Sequence, residues 1–295
     1  MKNTIFKGAG VAIVTPMKPD GSVNYDKLRS LIDYQIENGT QAIIACGTTG
    51  ESPTLTHEEH VEVIKTAVEH TAGRVPVIAG TGSNDTRYAL ELSKEAEALG
   101  ADALLMVTPY YNKTSQAGLI KHYTYVADNV NLPIILYNVP GRTGTDIKPQ
   151  TYAVLAEHKN IAAIKEANAN INAITETMAL CGNKIDLYSG CDEHILPILA
   201  LGGVGVISVL SNVIPKQTND ICKYYFDGDI EKSRSLQLKY YSLIKALFSD
   251  VNPIPVKEAM NMMGFDIGQC RLPLCDMSDD AKNNLRAELE RNGLL

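Results

Sequence analysis

A lysine interrupts a short apolar run. Residues 161–168 read IAAIKEAN, with Lys165 placed where a buried strand should carry no charge. Burying a lone ammonium is costly, and the usual escape is a lowered pKa and a neutral amine. A neutral lysine amine is a nucleophile toward carbonyl carbon. Lys165 is therefore a mispaired surface residue, a structural ion pair with a carboxylate, or a Schiff-base former. Strand alternation puts 161, 163, 165 and 167 on one face and Glu166 on the other, which makes Glu166 a poor direct partner for Lys165. Other apolar runs end in hydroxyls: Thr48 and Thr49 in GTTGES, Tyr111 in TPYYN, Tyr137 in YNVPGRTG. An amine attacking a carbonyl needs proton donors and acceptors in turn, and a relay of hydroxyls supplies them. Arg142 follows the Tyr137 run. It reads either as a loop cap or surface ion pair, or as a fork for a substrate carboxylate.

Metal chemistry is disfavoured, and no metal ligand set is expected. The six histidines (57, 60, 70, 122, 158 and 194) fall in helical or flanking segments, away from the strand ends where imidazole ligands would converge. His57 and His60 are three apart on one helix face, a spacing that could hold a metal but reads more simply as a solvated face.

The elements that position these residues show a beat. Short apolar runs recur at 11–16, 41–47, 75–82, 101–109, 132–140, 161–167, 185–192 and 203–209, most of them one βα unit apart. Helical patterns fill the gaps. Leu28, Leu31, Ile32 and Ile36 follow helix spacing, Thr56 and Glu59 form a capping box, and Gly39, Gly73 and Gly100 stand as helix stops before strands. Eight strands alternating with helices predict an α/β fold, a (β/α)8 TIM barrel over 1–224. A doubly wound open sheet is the runner-up, but TPMKPDG after the first run is not its glycine fingerprint. After residue 210 the strand beat stops, and 225–295 reads as a C-terminal helical region packed on the barrel. In such a barrel the chemistry lies at the carboxyl ends of the strands, where the residues above fall.

Bulk properties narrow the class. The chain has 295 residues, 45% hydrophobic and 21% charged, with a net charge of −7. That balance argues against general nucleic-acid binding, which needs a basic face. No apolar run approaches the roughly 20 residues that span a bilayer, and the opening MKNTIFKGAG lacks a signal-peptide core. The six cysteines include no CxxC pair and read as reduced thiols of a cytoplasmic protein, with Cys46 a small core residue.

The ordered set VAIVTPM, GTTGES, VIAGTG, VTPYYN, YNVPGRTG, IKEA, GVISV, NPIPVKEAM and RLPL resembles the dihydrodipicolinate synthase and N-acetylneuraminate lyase family through nearly the whole chain. GTTGE alone would be weak; the set in order, with Lys165 following Tyr137 by 28 residues, is specific. The resemblance implies a barrel with a helical C-terminal region, assembled as a homotetramer (a dimer of dimers) and working without a cofactor. It implies Lys165 as the lysine that captures pyruvate, and Tyr137 as the phenol that shuttles protons. Thr48 and Tyr111 are implied as further relay members, the counterpart of Tyr111 coming from the neighbouring subunit. Thr49 and the main chain at Ile207 are implied to meet pyruvate, Gly190 to keep the site floor small, and Arg142 to receive the carboxylate of L-aspartate 4-semialdehyde. A sugar-acid lyase of the same family would use the same lysine and tyrosine, but GRTG after Tyr137 suits a short acidic aldehyde better than a polyol. The implied reaction is the condensation of pyruvate with L-aspartate 4-semialdehyde, which opens the route to diaminopimelate and lysine. A catalytically silent barrel used as a binding protein is the rival from another class, and the intact lysine–tyrosine–threonine set argues against it.

The resemblance also implies an effector cleft for lysine. His57, His60, Asn84 and Tyr110 fall at matching positions, with Ser52 and Pro53 beside them. Tyr88 stands where regulated members carry an acidic residue. A phenol brings no charge to a lysine ammonium at neutral pH, so weak or absent feedback is the expectation.

Overall fold

The fold was taken from a computed structural model that describes residues 4–295; the first three residues of the MKNTIFKGAG opening lie outside it. Eight parallel strands close on themselves in chain order. They are β1 Gly8–Ala12, β2 Ala42–Ala45, β3 Val77–Gly80, β4 Ala103–Val107, β5 Ile134–Asn138, β6 Ile161–Glu166, β7 Asp186–Ser189 and β8 Gly205–Ser208. The expected α/β barrel is thus present, each strand reaching the next through helix. Two apolar layers result. Inside the barrel lie Ala12, Ile44, Ile78, Leu105, Ile135, Tyr137, Ala163, Tyr188 and Ile207. Between strands and helices lies the larger core, with Ile43, Leu104, Leu136, Ile164 and Leu187 facing Leu31, Ile64, Tyr123 and Tyr152.

The first strand lies earlier than its apolar run. VAIVTP predicts a strand at 11–16, yet β1 begins at Gly8, paired with Gly205, and ends at Ala12. Backbone space decides this. A Cβ on Gly10 would meet Ile44 Cδ1 at 2.7 Å and Phe6 at 2.8 Å, so the strand needs a glycine that hydropathy does not register. Ile13 still donates to Ile44 O at 3.1 Å before the chain leaves the barrel.

Helix ends follow the sequence closely. Thr56 and Glu59 satisfy both halves of the capping box for His57–Thr71. Gly39, Gly73 and Gly100 all take positive φ just past helices, the conformation that costs glycine least. After β8, helix Pro215–Phe226 packs on β1 and β8, and Ile230–Lys239 packs on that helix. Tyr241–Leu247, Ile254–Met262 and Asp279–Arg291 pack on one another. None of the described helices is long and apolar enough to cross a membrane.

Candidate active site

Lys165 sits on the inner face of β6, 5% exposed, with Nζ 4.1 Å from the centre of the Tyr137 ring. Tyr137 and Lys165 are direct partners in the β5–β6 register, as are Asn138 and Glu166. Burial pushes the Lys165 amine down to about 8, further helped by Arg142, while Cys191 and Asp192 pull the other way. The face of the Tyr137 ring also favours the ammonium, but that attraction is the smaller effect beside desolvation. No carboxylate pairs with the amine; the ion-pair reading of Lys165 has no partner in the salt bridges of the described residues.

Glu166 faces outward as expected, but the alternation behind that expectation breaks. Ile161 belongs to the outer layer, whereas Ala163 belongs to the inner one. The cause is a bulge: Ile134 pairs with Ile161 and Ile135 with Ala163, leaving Ala162 unopposed. Glu166 is buried, accepting from Asn168 N at 2.7 Å, Asn138 Nδ2 at 3.1 Å and the Tyr152 hydroxyl at 3.1 Å. Burial lifts its carboxyl to about 7 against those three hydrogen bonds, which act to lower it.

Tyr137 is buried, and desolvation raises its phenol to about 12 even with the Thr48 hydroxyl in hydrogen-bonding reach. It therefore stays protonated at neutral pH. Thr48 and Thr49 reach the site on the loop after β2. Thr49 is 2% exposed and accepts from Asn252 Nδ2 at 3.1 Å. The Asn252 carbonyl in turn accepts from Arg142 Nη2 at 3.3 Å, and Asn252 Oδ1 is buried without a partner among the described residues. Arg142 is exposed at the mouth. Asn252 thus ties the two residues expected to meet carboxylates, and sequence reasoning missed it. Its only signal was a place at the head of NPIPVKEAM, a motif without a role.

The same loop carries a second unforeseen anchor. Glu51, at φ 56°, follows Thr49 by two residues. Its Oε1 meets Lys257 Nζ at 2.7 Å and its Oε2 accepts from Arg271 N at 2.9 Å, both side chains of the ion pair being almost wholly buried. Lys257 also donates to Thr15 O and Gln269 O. Arg271 forks onto Glu59 and reaches Thr54 O at 2.7 Å. In sequence, Lys257 is one lysine of an amphipathic helix, with nothing to separate it from solvated neighbours.

The remaining site residues spread unevenly. Gly190 N donates to Glu166 O at 2.7 Å, and a Cβ there would meet both Ala167 Cβ and that oxygen at 2.9 Å, so no larger residue fits. Ile207 lies at the barrel interior, 1% exposed. Asp192, not singled out from sequence, is buried and accepts from Leu210 N at 2.9 Å and Val209 N at 3.1 Å, which holds the β7 end to the segment after β8. Tyr111 is 92% exposed at φ 70°, and nothing in one chain covers it.

The effector-cleft residues are only partly together. A cavity of 360 Å³ runs from Thr48 and Arg142 to Ser52, Pro53, His60, Tyr88 and Tyr110. Asn84 lines a separate cavity of 640 Å³. His57 Nδ1 lies 3.3 Å from the Tyr88 hydroxyl and its Nε2 3.3 Å from Glu95. The solvated-face reading is corrected for His60, which is 6% exposed and bonds Gly80 O at 2.7 Å through Nε2. A helix packed on β3 must satisfy that strand-end carbonyl, and the imidazole does so. Among the described residues no group of three or more histidine, cysteine or acidic side chains is placed to hold a metal ion.

Residues 5–292 match the model of the dihydrodipicolinate synthetase family. The chain is 57% identical to the 4-hydroxy-tetrahydrodipicolinate synthase of Lachnoclostridium phytofermentans, over 99% of each sequence. It superposes on a crystal structure of a dihydrodipicolinate synthase with a TM-score of 0.96 at 52% identity, covering 98% of this chain and 100% of that one. The chloride-inhibited dihydrodipicolinate synthase of Acinetobacter baumannii, solved in complex with pyruvate, gives a TM-score of 0.96 at 44% identity, covering 99% and 100%.

Proposed function

The chain belongs to the dihydrodipicolinate synthetase family, and on that premise we propose how its residues carry out the reaction. It is a lyase that condenses pyruvate with L-aspartate 4-semialdehyde to 4-hydroxy-tetrahydrodipicolinate, the first committed step toward diaminopimelate and lysine. The neutral Lys165 amine attacks the pyruvate carbonyl carbon. Tyr137 gives a proton to the departing oxygen, water leaves, and an imine remains. Loss of a methyl proton makes an enamine, whose carbon attacks the aldehyde. The amino group of the second substrate then displaces Lys165, closing the ring and freeing the amine. Every proton stays within Thr48, Tyr137 and the substrates until Tyr111 passes it to solvent. Thr49 and the Ile207 main chain hold the pyruvate carboxylate over the small floor at Gly190, and Arg142 takes the carboxylate of the aldehyde.

The observation that carries this reading is a buried lysine with a lowered pKa and no ion-pair partner among the described residues, stacked against a phenol that stays protonated. The imine serves as electron sink, so neither cofactor nor metal enters the scheme. The exposure of Tyr111 supports assembly, because a relay member needs to be covered; a homotetramer in the cytoplasm is the form proposed. Residues 1–224 are assigned the chemistry and 225–295 the bracing of it.

Pyruvate and borohydride test the scheme directly. The reduced adduct is expected on the peptide containing Lys165, formed faster as pH rises through about 8, with the cyclic product appearing when the semialdehyde is added instead of borohydride. Label on another lysine would overturn the assignment.

A further inference from the structure

Lys165 faces the barrel only because β6 changes parity. Ile161 and Ile164 both lie in the outer layer although three residues apart, which an uninterrupted strand cannot do. Had β6 kept the parity that Ile161 starts, Lys165 would turn out toward the helices and Glu166 into the barrel. The lower half of the strand is nearly indifferent to that choice, since Ala162 and Ala163 are both small and apolar. Something above them must hold the bulge at Ala162.

We propose that Glu166, gripped by Asn138, Tyr152 and the Asn168 backbone, is a register lock: a positioning residue that keeps the extra residue at Ala162 and so keeps Lys165 Nζ against Tyr137. The inference rests on the Lys165 imine reading above. Four side-chain and backbone donor contacts converge on the two carboxylate oxygens, at 2.7 to 3.2 Å. Asn138 is fixed from its far side as well: its Nδ2 donates to Asp146 Oδ1 at 2.9 Å and its Oδ1 accepts from Ile147 N at 3.1 Å. Asp146 also accepts from Asn168 Nδ2 at 3.2 Å, so the loop after β5 and the loop after β6 close one network, buried at Asn138 and Glu166 and partly buried at Asp146. In the slipped register an ammonium would arrive where Asn138 Nδ2 and Asn168 N–H now donate. Donor would face donor, and Glu166 would be carried into the inner apolar layer. The lock lies on the outer face and touches no substrate; it acts through the strand.

The experiment follows borohydride-trapped imine at saturating pyruvate, with the wild-type enzyme as the first arm. Failure of the wild type to label Lys165 would sink the imine reading itself, apart from the lock. With wild-type labelling in hand, Glu166→Ala is expected to slow the maximal trapping rate by about ten- to a hundredfold, as displaced reacting groups do, while half-saturating pyruvate moves much less. Glu166→Gln keeps one acceptor oxygen and is expected to recover most of the rate. Leu289→Ala, in helix Asp279–Arg291 away from the site, serves as a stability control and is expected to lower the melting temperature without slowing trapping. Wild-type trapping in Glu166→Ala, or equal slowing in Leu289→Ala at a matched melting temperature, would overturn the lock. If Glu166→Ala does not fold, Tyr152→Phe decides: removing that one donor should slow trapping by about threefold, and an unchanged rate would reject the proposal.

Discussion

Two loops carry the hydroxyls that the proposed reaction uses, and they are built in opposite ways. The loop after β2 carries Thr48 and Thr49 and is tied down from below. Glu51 pairs with buried Lys257, Thr49 bonds Asn252, and Arg271 clamps the helix that follows. The loop after β4 carries Tyr110 and Tyr111, both exposed, with Tyr111 and Lys113 at positive φ. Its base is held where Thr108 Oγ1 donates to Thr143 Oγ1 at 2.9 Å and Pro109 O accepts from Thr145 Oγ1 at 3.0 Å, while its tip is tied by the exposed bond from Asn112 Nδ2 to Asn84 O at 2.9 Å. The first loop is preorganised by its own chain, and the C-terminal region supplies the anchors: Lys257 from helix Ile254–Met262, Asn252 and Arg271 from the segments outside the helices. On the proposed reading, the second is left for a neighbouring subunit to order. One half of the proposed relay is thus a folding problem and the other, on that proposal, an assembly problem.

The sharpest way to break that contrast is to cut the anchor of the first loop. Glu51→Ala leaves the Lys257 ammonium buried without its partner, a loss of about 3–5 kcal/mol. The expected outcome is a fall of many degrees in melting temperature together with loss of turnover. Removing both charges, as Glu51→Gln with Lys257→Met, should restore much of the stability. Equal melting temperatures for wild type and Glu51→Ala would mean that the buried pair does not hold the loop.

The exposed loop should answer differently. Tyr111→Phe removes one relay hydroxyl and should lower kcat by about a hundredfold, the low end of what positioned acid–base groups contribute, with no change in melting temperature. The wild-type enzyme should also lose specific activity on dilution below the point where assemblies part. Activity independent of protein concentration, combined with a damaging Tyr111→Phe, would place the relay within one chain. Asn252→Ala lies between the two cases. It removes one neutral hydrogen bond to Thr49 and the residue under Arg142, so KM for pyruvate should rise by about three- to tenfold with kcat nearly kept. A change in kcat alone would assign Asn252 to the chemistry and not to holding the carboxylate contacts.

What could be read from sequence divides along the same line. Contiguous features were legible: the strand beat, the capping box at Thr56, the glycine stops, and Lys165 within its apolar run. Relations between distant segments were not. Asn252 lies 203 residues from the Thr49 it bonds, and Lys257 lies 206 from Glu51, so no local pattern marks either. The parity break at Ala162 was hidden because small apolar residues suit either face. β1 starts ahead of its apolar run because Gly8 and Gly10 are glycines that hydropathy ignores and packing demands.

The smallest expected effect concerns lysine. The cleft residues Ser52, His60, Tyr88 and Tyr110 share the cavity that also reaches Thr48 and Arg142, so an occupant there could be felt at the mouth. The resemblance implies a carboxylate at the position Tyr88 holds to meet the side-chain ammonium of an α-amino acid. Burial, then the neighbouring Glu95, raises the Tyr88 phenol further, so it stays uncharged. Glu95 is the acid that acts most strongly on Tyr88, and its Oε2 lies 3.3 Å from His57 Nε2 without a hydrogen bond among the described residues. Asn84 looks onto a different cavity. Losing one charge-assisted hydrogen bond costs about 1.5–3 kcal/mol, or roughly ten- to a hundredfold in affinity. Initial rates are therefore expected to stay flat as L-lysine rises to about 1 mM, a concentration matched by only about 4 kcal/mol of binding. Tyr88→Glu should bring inhibition into that range while leaving the rate without lysine unchanged. Half-inhibition of the wild type below a millimolar would show that another group meets the ammonium. Double substitution at Glu95 and Tyr88 would then identify whether Glu95 is that group, and so whether the His57 contact is a latch or a spare ligand.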